Sequence, residues 1–356
     1  MPHSPQNRSP GSLAAPQFGH ASVKPAPQFE QNFRPGLFSV PQLVQIIRLP
    51  PRRRAYRGDH DPSLRLYDGC VGDGARTWIC GDAAFPLGER TLVMGVVNVT
   101  PDSFSDGGMF ANAEEAVRHG ATLADEGADI LDVGGESTRP GADPVPLQEE
   151  LRRVQPVIEG LRKARPGTAV SVDTRHPEVA RAAIGAGASV VNDVTGGRDP
   201  GMFEVVRAGG VGMVLMHMLG EPKTMQDDPR YDDVVAEVHE YLRERIEAAV
   251  FAGIPEERLC VDPGIGFGKT LEHNLVLLRA ISGLRTLGAA VLVGASRKRF
   301  LGTLSGADDP AGRLPASLAA ATLAVAYGAD AVRAHDVEPT VRALRVADAI
   351  VRGGEA

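Results

Sequence analysis

The chain has little cysteine, no surplus of positive charge and no long apolar run, and each shortage closes off a class of protein. Cysteine occurs three times, at Cys70, Cys80 and Cys260, with no C-x-x-C pair and no histidine at zinc-ligand spacing. Neither a disulfide framework nor a cysteine-based zinc site is expected, and the thiols read as reduced in a cytoplasm. The formal net charge is −7, so nucleic acid and anionic membrane surfaces are not expected partners, and any anionic ligand must be held by a local cluster of cations. No stretch reaches the roughly 18 apolar residues of a spanning helix, and the N-terminus lacks the basic-then-apolar pattern of a secretory leader. What is present is the composition of a soluble globular protein. The 356 residues are 43% hydrophobic and 23% charged, enough for one large domain or two ordinary ones.

Residues 1–60 are rich in Pro, Gln, Ser and Arg, with one short apolar stretch (Leu43–Ile47) before the run Pro50-Pro-Arg-Arg-Arg54. Such a segment buries too little surface to offset its ordering entropy and is expected to be a disordered extension. Residues 61–356 form the expected folded domain. Within it, residues 64–90 alternate short apolar stretches with turns, which suggests a capping β-hairpin. From Thr91 to Arg352 apolar runs of four to six residues alternate with loops rich in Gly, Pro and Asp and with longer segments of helical periodicity.

Eight strand candidates emerge: Leu92–Asn98, Asp129–Gly134, Ala169–Asp173, Ser189–Asn192, Gly212–Met216, Leu259–Asp262, Val291–Gly294 and Ala331–Ala334. The helix candidates between them are Ala113–Glu126, Leu147–Ala164, Pro177–Ala186, Gly201–Ala208, Asp232–Ala252, Leu271–Leu284, Leu314–Tyr327 and Val337–Val351. Strict alternation with strands apolar on both faces is the pattern of a parallel sheet. Eight units in about 260 residues fit an α/β fold of the (β/α)8 TIM-barrel type better than an open doubly wound sheet.

In such a barrel the chemistry lies at the C-terminal ends of the strands. Those positions hold Asn98, Glu136 to Arg139, Asp173, Asn192, His217, Asp262, Ser296 to Lys298, Arg333 and His335. A single Asp there is usually a turn or helix cap, but a polar group on every strand is hard to assign to capping alone. Asn98, Asp173, Asn192 and Asp262 are expected at the last strand position, facing the mouth. The loop Asn98–Gly108, with its hydroxyls, two carboxylates and paired glycines, suits a lid offering oxygens to a hard cation. The loop Gly134–Gly141 sets Thr138 and Arg139 among glycines, a fair anion site, and Arg333 with His335 could hold phosphate beside a helix start near Val337. Inward Asp173, Asn192 and Asp262, with Lys298, could read a flat ring that displays both donors and acceptors.

The strings Met94–Gly108, Asp132–Ala142, Ser171–Thr174, Val191–Asp193, Met216–Met218, Asp262–Lys269, Gly294–Lys298 and Arg333–Asp336 resemble, in order and spacing, the dihydropteroate synthase family of pterin-binding barrels. The resemblance spans Thr91 to about Arg352. It implies a cytoplasmic, homodimeric transferase of folate biosynthesis that uses Mg²⁺ to join 6-hydroxymethyl-7,8-dihydropterin pyrophosphate to p-aminobenzoate. By that resemblance Asp173, Asn192, Asp262 and Lys298 hold the pterin, with Met216 and Phe267 packing near it. Asn98 and Asp102 bind the metal. Thr138, Arg333 and His335 hold pyrophosphate, while Thr100, Pro101, Phe104, Arg139, Pro140 and Ser296 form the p-aminobenzoate pocket. Asp106, Lys298, Arg333 and His335 are the expected catalytic groups, Asp106 stabilising a cation that develops on the pterin methylene.

His217 fits the family string but reads as a hydrogen-bonded core histidine rather than a substrate contact. Arg175-His176 stands where many relatives carry a Lys or another polar pair. Three competing functions are weighed against the synthase. A corrinoid-linked pterin methyltransferase would need neither the pyrophosphate cations nor Ser296-Arg-Lys298. A non-catalytic pterin-binding paralogue would show losses in the first two loops or at Lys298, and none is seen. A Schiff-base aldolase would use Lys269 or Lys298 and could be trapped by borohydride.

Overall fold

The computed structural model describes residues 76–99, 108–137 and 141–353. The expected extension over residues 1–60, and the part of the hairpin expectation at Leu64–Tyr67, lie outside the described residues. The first described elements are two antiparallel strands, β1 (Arg76–Cys80) and β2 (Ala83–Leu87), turning at Gly81 with φ 63°.

Eight parallel strands then close into a barrel: β3 (Leu92–Asn98), β4 (Ile130–Gly134), β5 (Ala169–Asp173), β6 (Val190–Asp193), β7 (Gly212–Met216), β8 (Leu259–Asp262), β9 (Ala290–Val293) and β10 (Ala331–Ala334). β10 pairs with both β3 and β9, so the described barrel strands leave no open edge. The helices between them are α1 (Gly108–Asp125), α2 (Leu147–Ala164), α3 (Pro177–Gly185), α4 (Pro200–Gly209), α5 (Val234–Phe251), α6 (Leu271–Arg279), α7 (Ile281–Leu284), α8 (Arg299–Ser305), α9 (Leu314–Ala326) and α10 (Val337–Arg352).

Local chemistry explains the helix limits. In α2, Val154, Val157, Ile158 and Leu161 make one buried stripe, with Glu149 and Glu150 in the first turn and Arg162 and Lys163 in the last, each sign matched to the helix dipole. Asp199 caps α4 by accepting from Gly201 N–H, Pro200 follows at the first helical position, and Gly210 ends the helix at φ 65°. Two expectations change. The helix expected over Leu271–Leu284 is broken at Ala280, where α7 turns Ile281 and Leu284 into the core. The short helix α8 was not expected, because seven residues are too few to show a period.

Side chains alternate across each strand. One set (Val93, Val97, Leu131, Val133, Val170, Val172 and their counterparts) packs outward under the helices. The other set faces the barrel axis, and at its lower end is apolar: Leu92, Met94, Ile130, Ala169, Val190, Val214, Cys260, Leu292 and Ala331. The hairpin closes this end. Trp78 is buried there, its indole N–H donating to the Arg258 carbonyl at 3.1 Å. Arg76 donates twice to Asp330 (2.9 and 3.1 Å), a fully buried carboxylate that also accepts from Arg285 at 3.0 Å and from Val291 N–H at 3.0 Å. Cys80 and Cys260, both buried in this layer, are unpaired thiols. No helix among the described residues is long and apolar enough to cross a membrane.

Trp78 therefore holds the hairpin to the barrel through packing as well as its hydrogen bond. Replacing it with Ala is expected to cost about 3–5 kcal/mol, seen as a lower denaturant midpoint by circular dichroism. An unchanged midpoint would show that the plug carries no stability.

Candidate active site

The strand period that makes the lower end apolar makes the upper end polar. Two residues beyond Ile130, Val190, Cys260 and Ala331 stand Asp132, Asn192, Asp262 and Arg333, and Ala169 leads through Ser171 to Asp173. Arg333 is the tie between them. Its Nε donates to Asp132 Oδ2 at 2.6 Å and its second terminal nitrogen to Asp173 Oδ2 at 3.0 Å, while Asn192 Nδ2 donates to Asp132 Oδ2 at 3.0 Å. Asp132 Oδ1 and Ser171 Oγ, at facing positions of β4 and β5, have no partner among the described residues.

Burial pushes the Asp173 and Asp262 carboxyls up, Asp262 to about 6, against the pull of Gly264 N–H at 2.7 Å on its Oδ1. Desolvation lowers Lys298 to about 8, and the neighbouring Arg333 adds to the drop. The Lys298 ammonium lies 3.9 Å from the Phe267 ring centroid. Phe267 in turn packs on a buried apolar cluster of Val194, Met216, Met218 and Met225. The mouth thus sets an apolar wall beside inward carboxylates and cations, an arrangement suited to a flat heterocycle with polar edges.

Two loops fix this geometry. After β8 the chain folds so close to β7 that a Cβ on Gly264, whose φ is +68°, would lie 1.9 Å from the His217 carbonyl oxygen; only glycine fits. Gln226 holds the Gly266 carbonyl at 2.7 Å, and Tyr231 holds that of Gly268 at 2.8 Å. After β9, Arg297 has φ 58°, the sole positive value at a non-glycine among the described residues. This conformation costs about 1–3 kcal/mol and is held by a bidentate pair to Asp336, by Ser317 Oγ accepting from Arg297 N–H at 3.0 Å, and by Arg313 donating to the Arg297 carbonyl at 3.1 Å. Ser296 and Lys298 are thereby set on either side of it. Ser296 Oγ contacts His335 at both its backbone N–H (3.2 Å) and Nδ1 (3.1 Å).

Asn98, Asp173, Asn192, Met216, Asp262, Phe267, Ser296, Lys298, Arg333 and His335 are therefore all found at the C-terminal end of the barrel. Thr100, Pro101, Asp102, Phe104, Asp106, Thr138, Arg139 and Pro140 lie outside the described residues. Asn192 is not the last residue of its strand as expected: Asp193 is, and it turns outward to accept from Thr195 and Gly197 N–H while Asn192 faces in. Arg333 lies within β10, inside the expected strand Ala331–Ala334, and here its guanidinium engages carboxylates. His217 is buried, with Nδ1 2.9 Å from Lys269 Nζ and its ring edge-on to Tyr241; burial lowers Lys269 to about 7.

Sequence reasoning missed Asp132 and the Arg297–Asp336 clamp. A charged residue in mid-strand between Leu131 and Val133 was a usable signal for the first. No sequence signal marks a positive φ at an arginine.

A closed barrel with its polar groups gathered at the strand C-termini defines the chain first as a TIM-barrel enzyme. Residues 94–335 match the model of the pterin binding enzyme family. Dihydropteroate synthase of Escherichia coli K12 is 47% identical over 263 residues, covering 74% of this chain and 93% of that protein, and that of Mycobacterium leprae is 48% identical over 269 residues, covering 74% and 94%. Among solved structures, the Xanthomonas albilineans dihydropteroate synthase with 4-aminobenzoic acid aligns with TM-score 0.73 at 52% identity, covering 78% of this chain and 98% of that one. The same organism's enzyme with 7,8-dihydropteroate aligns at 0.69 and 49%, covering 77% and 98%. The chain belongs to the pterin binding enzyme family, among its dihydropteroate synthases.

Asp132 is fully buried and accepts from two partners, so Asp132→Ala leaves the Arg333 guanidinium with one carboxylate fewer. Stability is expected to fall by about 3 kcal/mol or more, measured by urea unfolding. A loss under about 0.5 kcal/mol would mean that the pair is not formed in solution.

Proposed function

We propose that this chain condenses 6-hydroxymethyl-7,8-dihydropterin pyrophosphate with p-aminobenzoate, giving 7,8-dihydropteroate and pyrophosphate. The observation that carries the reading is the convergence of Asp132, Asp173, Asn192, Asp262 and Lys298 on one apolar-walled mouth. The solved relatives with 4-aminobenzoic acid and with dihydropteroate support the choice of substrates.

Ionised Asp173 and Asp262 accept N–H groups of the pterin, Asn192 offers both a donor and an acceptor, and Lys298 donates to ring acceptors while its ammonium rests on Phe267. His335 and Arg333 face the leaving pyrophosphate. Arg333 is poised between Asp132 and Asp173, so part of its positive charge is already committed to holding the carboxylates in place. Departure of pyrophosphate leaves a cation on the pterin methylene, which the arylamine nitrogen captures before losing a proton. Excluding water from the mouth favours the amine over hydrolysis. The lid residues Thr100, Pro101, Phe104, Arg139 and Pro140, with Thr138 on pyrophosphate and Asp106 beside the cation, complete the proposal from the sequence.

The site also suits Mg²⁺. The Asn98 side-chain oxygen, a neutral hard donor at the end of β3, lies on the Gly134 side of the mouth, as does Asp173 Oδ2. One or two protein oxygens are the usual share for a magnesium ion that keeps its waters and binds substrate phosphates; Asn98, with Asp102 as the second ligand, would hold it. When bound, the ion would neutralise charge on the departing pyrophosphate. A cytoplasmic homodimer completes the reading. Leu323 on α9 and Val346 and Ile350 on α10 are exposed apolar side chains on neighbouring helices, which supports a contact between two copies there.

Pyrophosphate release should require the dihydropterin substrate and Mg²⁺, with dihydropteroate appearing when p-aminobenzoate is added. Asp173→Ala or Lys298→Ala should abolish turnover with the fold retained; rates like the parent would remove their roles. Asp173 and Asp262 must be ionised, which fails as pH falls through about 7 and about 6, and Lys298 must be charged, which fails as pH rises through about 8. The expected kcat/KM profile is therefore a narrow bell with its top between about 7 and about 8. A profile flat across both limbs would reject the assigned charge states.

A further inference from the structure

Beside Asp173, three consecutive β/α units bring together Glu136 from the loop after β4, Glu150 from the first turn of α2 and His176 from the residue before α3, none of which is given a role above. One potential ligand atom from each lies within 4.8 Å of the others. His176 Nδ1 is 2.7 Å from Glu150 Oε2. The three side chains differ in setting: Glu136 and His176 are half-buried, whereas Glu150 is fully buried. Its second oxygen, Oε1, has no hydrogen-bond partner among the described residues. An ionised carboxylate without solvent or a full set of partners is costly, and a cation at that oxygen removes the cost.

Space is available. A cavity of about 10 Å³ is lined by Glu136, Glu150, Asp173, Thr174 and Arg175, which is room for about one water-sized group. His176 engages only the Oε2 atom of Glu150, and no cation among the described residues reaches Oε1. Arg175 is the neighbouring guanidinium, but its terminal nitrogens go to Glu136 Oε1 at 3.2 Å and to Glu221 at 2.9 Å, and Asp173 is already engaged by Arg333. Four carboxylates, Glu136, Glu150, Asp173 and Asp132, share Arg175, Arg333 and His176, and His176, whose pKa the hydrogen bond to Glu150 raises, reaches only Oε2 of Glu150, so Oε1 is left over.

We propose that Glu136, Glu150 and His176 form a binding site for a divalent transition-metal ion of the zinc class, beside the pterin-facing carboxylate Asp173. Two carboxylate oxygens and one imidazole nitrogen are a donor set for Zn²⁺ or Co²⁺ rather than for Mg²⁺ or Ca²⁺, which take oxygens throughout. The cavity lies on the side of the two carboxylates, and a water there would complete the ligand set. The site is separate from Asn98, and it does not depend on the reaction proposed above.

Cobalt reports such a site directly, because Co²⁺ held by nitrogen and oxygen ligands absorbs in the visible. The full chain, stripped with chelator and free of Mg²⁺, is titrated with Co²⁺, and Zn²⁺ is then added to displace it. One equivalent should give visible bands that Zn²⁺ abolishes. His176→Lys places a fixed cation beside Glu150 and should keep the fold, checked by circular dichroism, while weakening Co²⁺ by more than the roughly 10- to 100-fold that loss of an outer partner costs. Glu150→Gln should do the same while retaining the side-chain shape. Absence of the bands in the parent chain, or bands of equal strength in both folded variants, overturns the proposal.

Discussion

The two-residue period of a strand, imposed on eight parallel strands closed into a ring, is the constraint on which the rest of the molecule depends. Once the ring is closed, every second residue must face the axis, and no loop can reassign it. At the lower end those residues are Leu92, Ile130, Val190 and Cys260; at the upper end the same faces present Asn98, Asp132, Asn192 and Asp262. A single geometric rule therefore delivers both a core that needs a lid and a mouth that gathers charge. The helices around the ring then have one demand to meet, an apolar stripe toward Val97, Val133, Val172 and their neighbours, and α2 shows how plainly the sequence meets it.

Gathering charge at one end has a price in solvation, and the structure meets it with few partners used more than once. Arg333 serves Asp132 and Asp173 together, and Asp132 in turn orients Asn192. The opposite end repeats the device, with Asp330 serving Arg76, Arg285 and a backbone N–H. In each case one fully buried carboxylate is the hub. The two hubs differ in completeness. Every Asp330 oxygen has a donor, whereas Asp132 keeps one oxygen unpartnered beside Ser171, as befits the end of the barrel that receives a ligand.

Much of this was legible in the sequence because it depends on short-range rules. The strands Leu92–Asn98, Ala169–Asp173, Gly212–Met216, Leu259–Asp262 and Ala331–Ala334 have the observed limits, since each is an apolar run stopped by a turn residue or a polar terminus. The others shift by a residue, and at β6 that shift exchanges the roles of Asn192 and Asp193. Asn98, Asp173, Asn192, Asp262, Lys298, Arg333 and His335 were found by position, and Met216 and Phe267 by the family resemblance. What stayed hidden depends on contacts distant in sequence. Asp132 matters through Arg333, 201 residues away, and the unusual backbone of Arg297 exists because Asp336, Ser317 and Arg313 hold it. The cluster of Glu136, Glu150 and His176 was invisible for the same reason: nothing in a linear spacing places the first turn of one helix beside the start of the next.

The hairpin seal has a practical corollary. Trp78 is the chain's single tryptophan, and it lies at the end of the barrel opposite the mouth, shielded from water against Arg258. Its fluorescence is accordingly a private reporter of whether the hairpin is seated. A ligand entering among Asp173, Asp262 and Lys298 would leave the emission colour unchanged, whereas undocking of β1 would shift it to the red, so the two events can be followed separately in one cuvette.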